Sequence, residues 1–336
     1  MTNETPPSCR IYHWIQKFLV SGVILAATIA RKFIDEIKEQ VSQLEEAPRL
    51  VGFLANADPA AAMYADFTKK TSLDCGFRFE LRQVDKEDLE DAIMEANADN
   101  KVDGIMVYFP VFGDRQVYAS TSDCWRYRIN IFNNVNLSLV VLMTVFDEQK
   151  DVEGLSHLWI KRMYHNIRWL DEAKTKKAIL PCTPLAIIKV LEHLGAYNTI
   201  LPYGNRLYGR TVTVVNRSEI VGRPLAALLA NDGAKVYSVD ITGVQQYHRG
   251  AGIKLRKHEV QDTNLKLEDV APLSDIIITG VPSPRYKFPS HLIKDGAICI
   301  NFSSEKNFDN TGVKEHAAIY VPAIGKVTIA MLLRNL

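Results

Sequence analysis

Along this chain, short β-branched and apolar runs alternate with longer stretches whose apolar residues recur three and four positions apart, as strands and helices do in turn. Arg49 to Ala55 (RLVGFLA) predicts a first strand. Asp58 and Pro59 open a helix running to about Cys75, which Gly76 caps. Phe77 to Val84 alternates like a strand, Leu89 to Ala98 carries a helical stripe, and Gly104 to Phe109 forms a third strand ending at Pro110. Lys150 to His157 (KDVEGLSH) reads as a polar loop with two acids, and Leu180 to Pro184 (LPCTP) leads into a helix through Leu194. Thr211 to Asp240 reads as strand, tight turn, helix, turn and second strand. Asp275 to Thr279, Ala297 to Asn301 and the closing Val321 to Asn335 complete the pattern. This rhythm predicts an α/β protein of two domains, with ligands outside the carboxyl ends of parallel strands.

Three stretches stand apart. Residues 1 to 21 read as an extension, and Gly22 to Glu46 as an amphipathic helix with Ile24, Ile29, Phe33, Ile37, Val41 and Leu44 inward. Val117 to Gln149 breaks the rhythm: a Trp-Arg-Tyr-Arg cluster, an Asn-rich patch (Asn130, Asn133, Asn134, Asn136) and the wholly apolar Leu137 to Phe146 follow one another. It is an inserted hairpin, a dimer-contact arm, or a segment foreign to the working protein. His248 to His258 is a basic loop, read as a solvated face.

Composition narrows the function. The chain has 336 residues, 47% of them hydrophobic and 24% charged, enough for two substantial cores. Forty Lys and Arg against 39 Asp and Glu leave a formal charge of +1, so nothing steers the whole molecule toward nucleic acid or an acidic membrane. The apolar run Phe18 to Ala30 is shorter than the ~20 residues a membrane span requires. Cys9, Cys75, Cys124, Cys182 and Cys299 show no paired spacing, which argues against a disulfide framework or a metal site and suits a reducing, cytoplasmic setting. The acid-poor first 34 residues make mitochondrial import the alternative.

The strongest local chemistry lies in TVTVVNRSEIVGRPLAALLANDGAKVYSVD, residues 211 to 240. The strand stops at Asn216, Ser218 can cap a helix, Gly222 admits a close backbone approach, and Pro224 suits a first helical turn. A helix that starts just after a parallel strand aims its free N–H groups at a phosphate. Asp240 closes the second strand where a ribose 2′-hydroxyl would be gripped. Its carboxylate accepts that hydroxyl and repels a 2′-phosphate, which favours NAD over NADP, although Arg217 nearby could hold a phosphate. The usual three-glycine fingerprint is absent.

Five separated segments together resemble the methylenetetrahydrofolate dehydrogenases, and most closely the monofunctional, NAD-dependent fungal branch of that family. They are GVILA (22 to 26), YADFTKK (64 to 70) with GIMVYFPV (104 to 111), KDVEGL (150 to 155) with LPCTPLA (180 to 186), VVNRSEIVGRPLAALL (214 to 229) and VTIAMLLRN (327 to 335). The resemblance implies two α/β domains flanking a cleft, usually in a homodimer. Residues 22 to 180 would form the folate-binding catalytic domain, 181 to 320 a Rossmann-type NAD domain, and 321 to 336 a helix returning to the first. On the folate side it implies Tyr64, Thr68, Tyr108, Pro110, Asp151, Glu153 and Cys182. On the NAD side it implies Asn216, Arg217, Ser218, Ile220, Val221, Gly222, Asp240, Gly280, Val281 and Asn301. No metal is implied.

Two departures from the family pattern matter. Bifunctional members carry a Lys four residues after the Tyr, and that Lys serves the cyclohydrolase step. Here Thr68 stands there, with Lys69 and Lys70 turned roughly 100° and 200° further round the helix. The resemblance therefore implies dehydrogenase activity without cyclohydrolase. Where many relatives read Gln-Leu-Pro this chain reads Tyr108, Phe109, Pro110, and the sequence leaves Tyr108 either touching folate or filling space. Cys182 at a helix start is either a thiol of lowered pKa or a structural residue.

Overall fold

The computed structural model describes residues 22–109, 111, 142–250 and 257–336. Pro110, residues 1 to 21 and residues 117 to 141 of the atypical stretch lie outside them, as does the middle of the basic loop.

Two parallel-strand sheets organise the chain. The smaller has three strands in the order β3(Arg78–Gln83), β2(Arg49–Leu54), β4(Gly104–Val107), all parallel. Helices α2(Pro59–Asp74) and α3(Leu89–Ala98) make the crossovers. Asp58 caps α2 by accepting from the Ala60 amide, and Gly76 leaves it at φ +90, a conformation that costs a glycine little.

The larger sheet has eight strands in the order β1(Gly22–Val23), β11(Ile319–Val321), β10(Ile298–Asn301), β9(Ile276–Thr279), β5(Thr211–Val215), β6(Lys235–Asp240), β7(Gly243–His248), β8(Glu259–Thr263). From β1 to β6 the pairing is parallel, and β7 and β8 add an antiparallel edge hairpin. Val212, Val214, Ile277 and Ile278 are wholly buried, as parallel strands covered on both faces should be. Because β6 lies on one side of β5 and β9 on the other, the connection reverses between β5 and β9, which opens a crevice at their carboxyl ends.

The halves share one apolar core. It runs from Ile29 and Ile37 on α1(Ala26–Val41) through Ile187 and Leu191 on α5(Cys182–His193) to Ile329 and Leu332 on α7(Gly325–Asn335). α7 packs against both α5 and α1.

Several expectations change. Gly22 and Val23 form a strand on β11 of the larger sheet, and the helix begins only at Ala26. The apolar stripe places Ile29 and Ile37 inside but leaves Leu44 exposed beyond the helix end. The stretch read as a polar loop, Lys150 to His157, is among the most buried loops: Asp151, Val152, Leu155 and Ser156 are almost wholly enclosed. The β7–β8 hairpin and the helix α4(His157–Tyr164) were not legible in the pattern.

Candidate active site

Two groups of residues lie at carboxyl ends of strands. The first gathers around α2, the end of β4, the 150s loop and the start of α5. Tyr64 on α2 meets Tyr108 edge-on, ring centroids 5.9 Å apart. Tyr108 is 2% exposed and lies over Gly52 of β2, so closely that a Cβ there would stand 2.9 Å from the ring. Tyr108 thus packs beneath Tyr64, with its hydroxyl buried and, among the described residues, without a hydrogen-bond partner. Thr68 is fully buried and donates its hydroxyl to the Tyr64 carbonyl at 2.9 Å, so its one donor is spent inside the helix. Lys69 and Lys70 are exposed on other faces of α2.

The acidic loop divides its work. Asp151 Oδ1 accepts from the Glu153 and Gly154 amides and Oδ2 from Ser156 at 2.6 Å, so this carboxylate holds the loop rather than facing outward as an expected ligand. Gly154 sits at φ +71 with the Leu180 carbonyl carbon 2.7 Å from where a Cβ would be, leaving room only for glycine. Glu153 spends Oε2 on the Val107 amide at 2.8 Å, and its backbone carbonyl accepts from the Cys182 amide at 3.0 Å. Burial, with Asp151 adding repulsion, pushes the Glu153 carboxyl up to about 8.

Of the two readings of Cys182, the structure does not favour the thiol of lowered pKa. It occupies the first turn of α5, but burial, followed by the Glu153 charge, raises its thiol well above the ordinary value. Desolvation outweighs the helix dipole here, so Cys182 is a neutral, inward-facing thiol.

The second group surrounds the β5–β9 crevice. Asn216 Nδ2 donates to the Gly280 carbonyl at 2.9 Å, and its Oδ1 accepts from the Ser218 amide, so one side chain ties both lips together. Ser218 Oγ accepts from the Val221 and Gly222 amides, each at 3.3 Å, and so holds the turn that leads into α6(Gly222–Asn231), whose N-cap residue is Val221 rather than Ser218. A Cβ on Gly222 would lie 2.2 Å from the Asn216 carbonyl oxygen. Ile220 and Val221 are half-buried beside this turn. Asp240 accepts from the Arg217 amide at 2.9 Å and the Ile241 amide at 2.7 Å.

Arg217 and Asn301 contribute differently from expectation. The Arg217 guanidinium is 3% exposed and bonds the Ser238 and Gly243 carbonyls, each at 2.6 Å, with Thr242 Oγ1 at 2.9 Å. It braces the turn between β6 and β7 from within. Asn301 gives its amide hydrogens to the Ser303, Glu305 and Pro322 carbonyls, so it shapes the loop after β10. Val281 is held by Asn307, which bonds both its amide and its carbonyl. Sequence reasoning missed Asn307, and it missed Phe302, whose ring would be 1.9 Å from a Cβ on Gly280. Neither stands in a spacing that announces it; an aromatic directly after a strand-ending Asn was the only cue to Phe302.

Tightly packed glycine turns at Gly222 and Gly280, the start of α6 and an acid at the end of β6 fit a dinucleotide. Among the described residues, no group of three or more His, Cys, Asp or Glu could hold a metal ion, and no helix is long and apolar enough to cross a membrane.

Comparison with known proteins agrees with this division. The profile of the tetrahydrofolate dehydrogenase/cyclohydrolase catalytic domain matches residues 24–122, and that of the family's NAD(P)-binding domain matches residues 181–255. The methylenetetrahydrofolate dehydrogenase [NAD(+)] of Schizosaccharomyces pombe is 62% identical over 314 residues, covering 94% of this chain and 91% of the relative. That of Saccharomyces cerevisiae is 52% identical over 93% of this chain and 94% of its own length. The solved structure of the NAD-dependent 5,10-methylenetetrahydrofolate dehydrogenase from Saccharomyces cerevisiae superposes with a TM-score of 0.82 at 51% identity, covering 94% of this chain and 95% of that one. With relatives this similar along nearly its whole length, the chain belongs to the tetrahydrofolate dehydrogenase/cyclohydrolase family.

Proposed function

We propose that this protein oxidises 5,10-methylenetetrahydrofolate to the 5,10-methenyl form by transferring a hydride to NAD⁺, and that it lacks cyclohydrolase activity. The observation that carries the second half is Thr68: fully buried, its hydroxyl given to its own helix, it offers no proton-transfer group where a bifunctional enzyme needs one. NAD⁺, when bound, supplies the hydride acceptor. The chain's residues bind and orient. The turn from Asn216 to Gly222 and the start of α6 receive the pyrophosphate, and Asp240 accepts the ribose hydroxyls. Tyr64 and Glu153 bound the folate side, while Tyr108, Thr68 and Cys182 form its dry floor. Loss of the hydride leaves a resonance-stabilised cation, so no nucleophile or base is required, and placement in a water-poor cleft does most of the work.

The unpaired cysteines support a cytoplasmic location, and the resemblance supports a homodimer.

Spectrophotometry of the purified protein tests the activity. With methylenetetrahydrofolate and NAD⁺ it should show methenyl absorbance that forms and then decays only at the rate of the protein-free solution. Enzyme-dependent decay would overturn the monofunctional reading; no formation would overturn the whole of it.

Glu153 makes a pH prediction. A raised carboxyl means that the folded protein keeps the proton while the unfolded chain has lost it. This group therefore subtracts stability progressively from about pH 4.5 to about 8, and no further above that. Pterin N–H donors need the ionised acceptor. The KM for folate should fall as pH rises through about 8, and Glu153→Gln should flatten that profile while leaving the KM for NAD⁺ unchanged. An inflection that survives in Glu153→Gln would assign it elsewhere.

A further inference from the structure

A second groove opens on the nucleotide domain at the end of the sheet opposite the crevice. About 400 Å³ in volume, it is flanked by the amino ends of β5 and β6 and by the end of β7. Its lining includes Tyr208, Arg210, Lys235, His248 and Arg249, and contains no acid.

Arg249 is the unusual member. It is only 6% exposed, yet two of its guanidinium groups, Nε and Nη1, have no hydrogen-bond partner; Nη2 alone is engaged, with Asn205 Oδ1. A buried cation with unmet donors is costly unless something satisfies them. Among the described residues no acid forms an ion pair with it, and only the charge of Asp232 acts on it from nearby. The nearby acid, Asp232, already takes Arg168 at 2.6 Å and the Tyr197 hydroxyl at 2.8 Å, and Arg168 itself repels Arg249. His248 accepts the Gly250 amide on Nδ1 at 3.0 Å, which leaves Nε2 as a donor. Lys235 and Arg210 stand at the strand starts on the same lining. Glycines at 209, 233 and 250 keep the groove free of intruding side chains, and a Cβ on Gly233 would stand 3.1 Å from Arg249 Nη2.

From the two unmet donors of Arg249 and the acid-free lining of the groove around it, we infer a phosphate-binding site, separate from the dinucleotide crevice. A phosphate dianion matches a guanidinium donor pair flanked by flexible cations. The phosphate is either free or carried by a nucleotide, whose base would lie on the ring of Tyr208, 49% exposed at the groove's edge.

Thermal unfolding with NAD⁺ saturating, so that the crevice is occupied, tests the site. Inorganic phosphate and adenosine 5′-monophosphate are compared with chloride at equal ionic strength. Phosphate at about ten times its Kd should raise Tm by about 2–4 °C. Arg249→Met removes an uncompensated buried charge, so it should fold without phosphate and lose that shift. Lys235→Ala, an exposed change, should weaken phosphate binding several-fold. A larger shift with the mononucleotide that Tyr208→Ala erases would place the phosphate on a nucleotide, and equal shifts would make it free phosphate. No shift, or an equal shift in wild type and Arg249→Met, would overturn the inference.

Discussion

Gly222→Ala should reduce kcat/KM for NAD⁺ roughly 30- to 900-fold while leaving the KM for folate within about threefold. The new Cβ would stand 2.2 Å from the Asn216 carbonyl oxygen and 2.6 Å from its carbon. Both are backbone atoms, so no side chain can swing aside. Relief must come from opening the turn, which breaks the Asn216 bridge to Gly280 and the paired amides on Ser218. Forcing an extra methyl into such packing costs about 1–3 kcal/mol, and the lost bridge adds about 1 kcal/mol, together roughly 30- to 900-fold in binding. Steady-state kinetics with each substrate varied in turn separates this from general unfolding, which would lower both. A variant with near-normal KM for NAD⁺ would remove this turn from the cofactor site.

Asp240→Ser should raise the KM for NAD⁺ by about 10- to 100-fold, the worth of a charge-assisted hydrogen bond to the ribose. It should not make the enzyme an NADP⁺ enzyme. Arg217, one residue after Asn216, could hold a 2′-phosphate only if its guanidinium were free, and four acceptors on the β6–β7 hairpin hold it inward. Removing the acid ends the repulsion without providing a cation. Adding one outside should: Ile241 follows Asp240 and is 93% exposed, so Asp240→Ser with Ile241→Arg should gain at least tenfold in kcat/KM for NADP⁺ over Asp240→Ser alone. Comparable use of both cofactors by Asp240→Ser itself would show that Arg217 leaves its pocket.

The sequence carried most of the framework because buried parallel strands and capped helices write strong local patterns. Leu89 to Ala98 has the helix boundaries its stripe predicted, and Thr211 to Asp240 has its predicted order of elements. What stayed hidden depends on partners distant in the chain. Lys150 to His157 looks polar because its acids are ionisable, yet Asp151 is buried by bonding backbone amides three and five residues on, and no composition rule sees those bonds. Arg217 looked available because a cation beside a phosphate turn usually is. Its sequestration depends on Ser238, Thr242 and Gly243 in a hairpin that carries little apolar alternation of its own. The helix position of Cys182 allowed a lowered pKa as readily as a structural role, and its burial, with the Glu153 charge, raises the thiol instead.

The pairing of Gly22 and Val23 with Ile319 and Tyr320 has a consequence for how the protein unfolds. From Gly22 onward the described chain begins in the larger sheet, leaves to build the smaller one, returns for seven more strands, and reaches a helix packed against α1 and α5. No single cut separates the halves. A fragment beginning at residue 181 would lack the strand that covers β11, exposing a bare edge that invites intermolecular pairing. It would also strip the apolar face of α7 of one of its two partners. The two sheets are therefore one cooperative unit, and melting should proceed as a single transition rather than domain by domain.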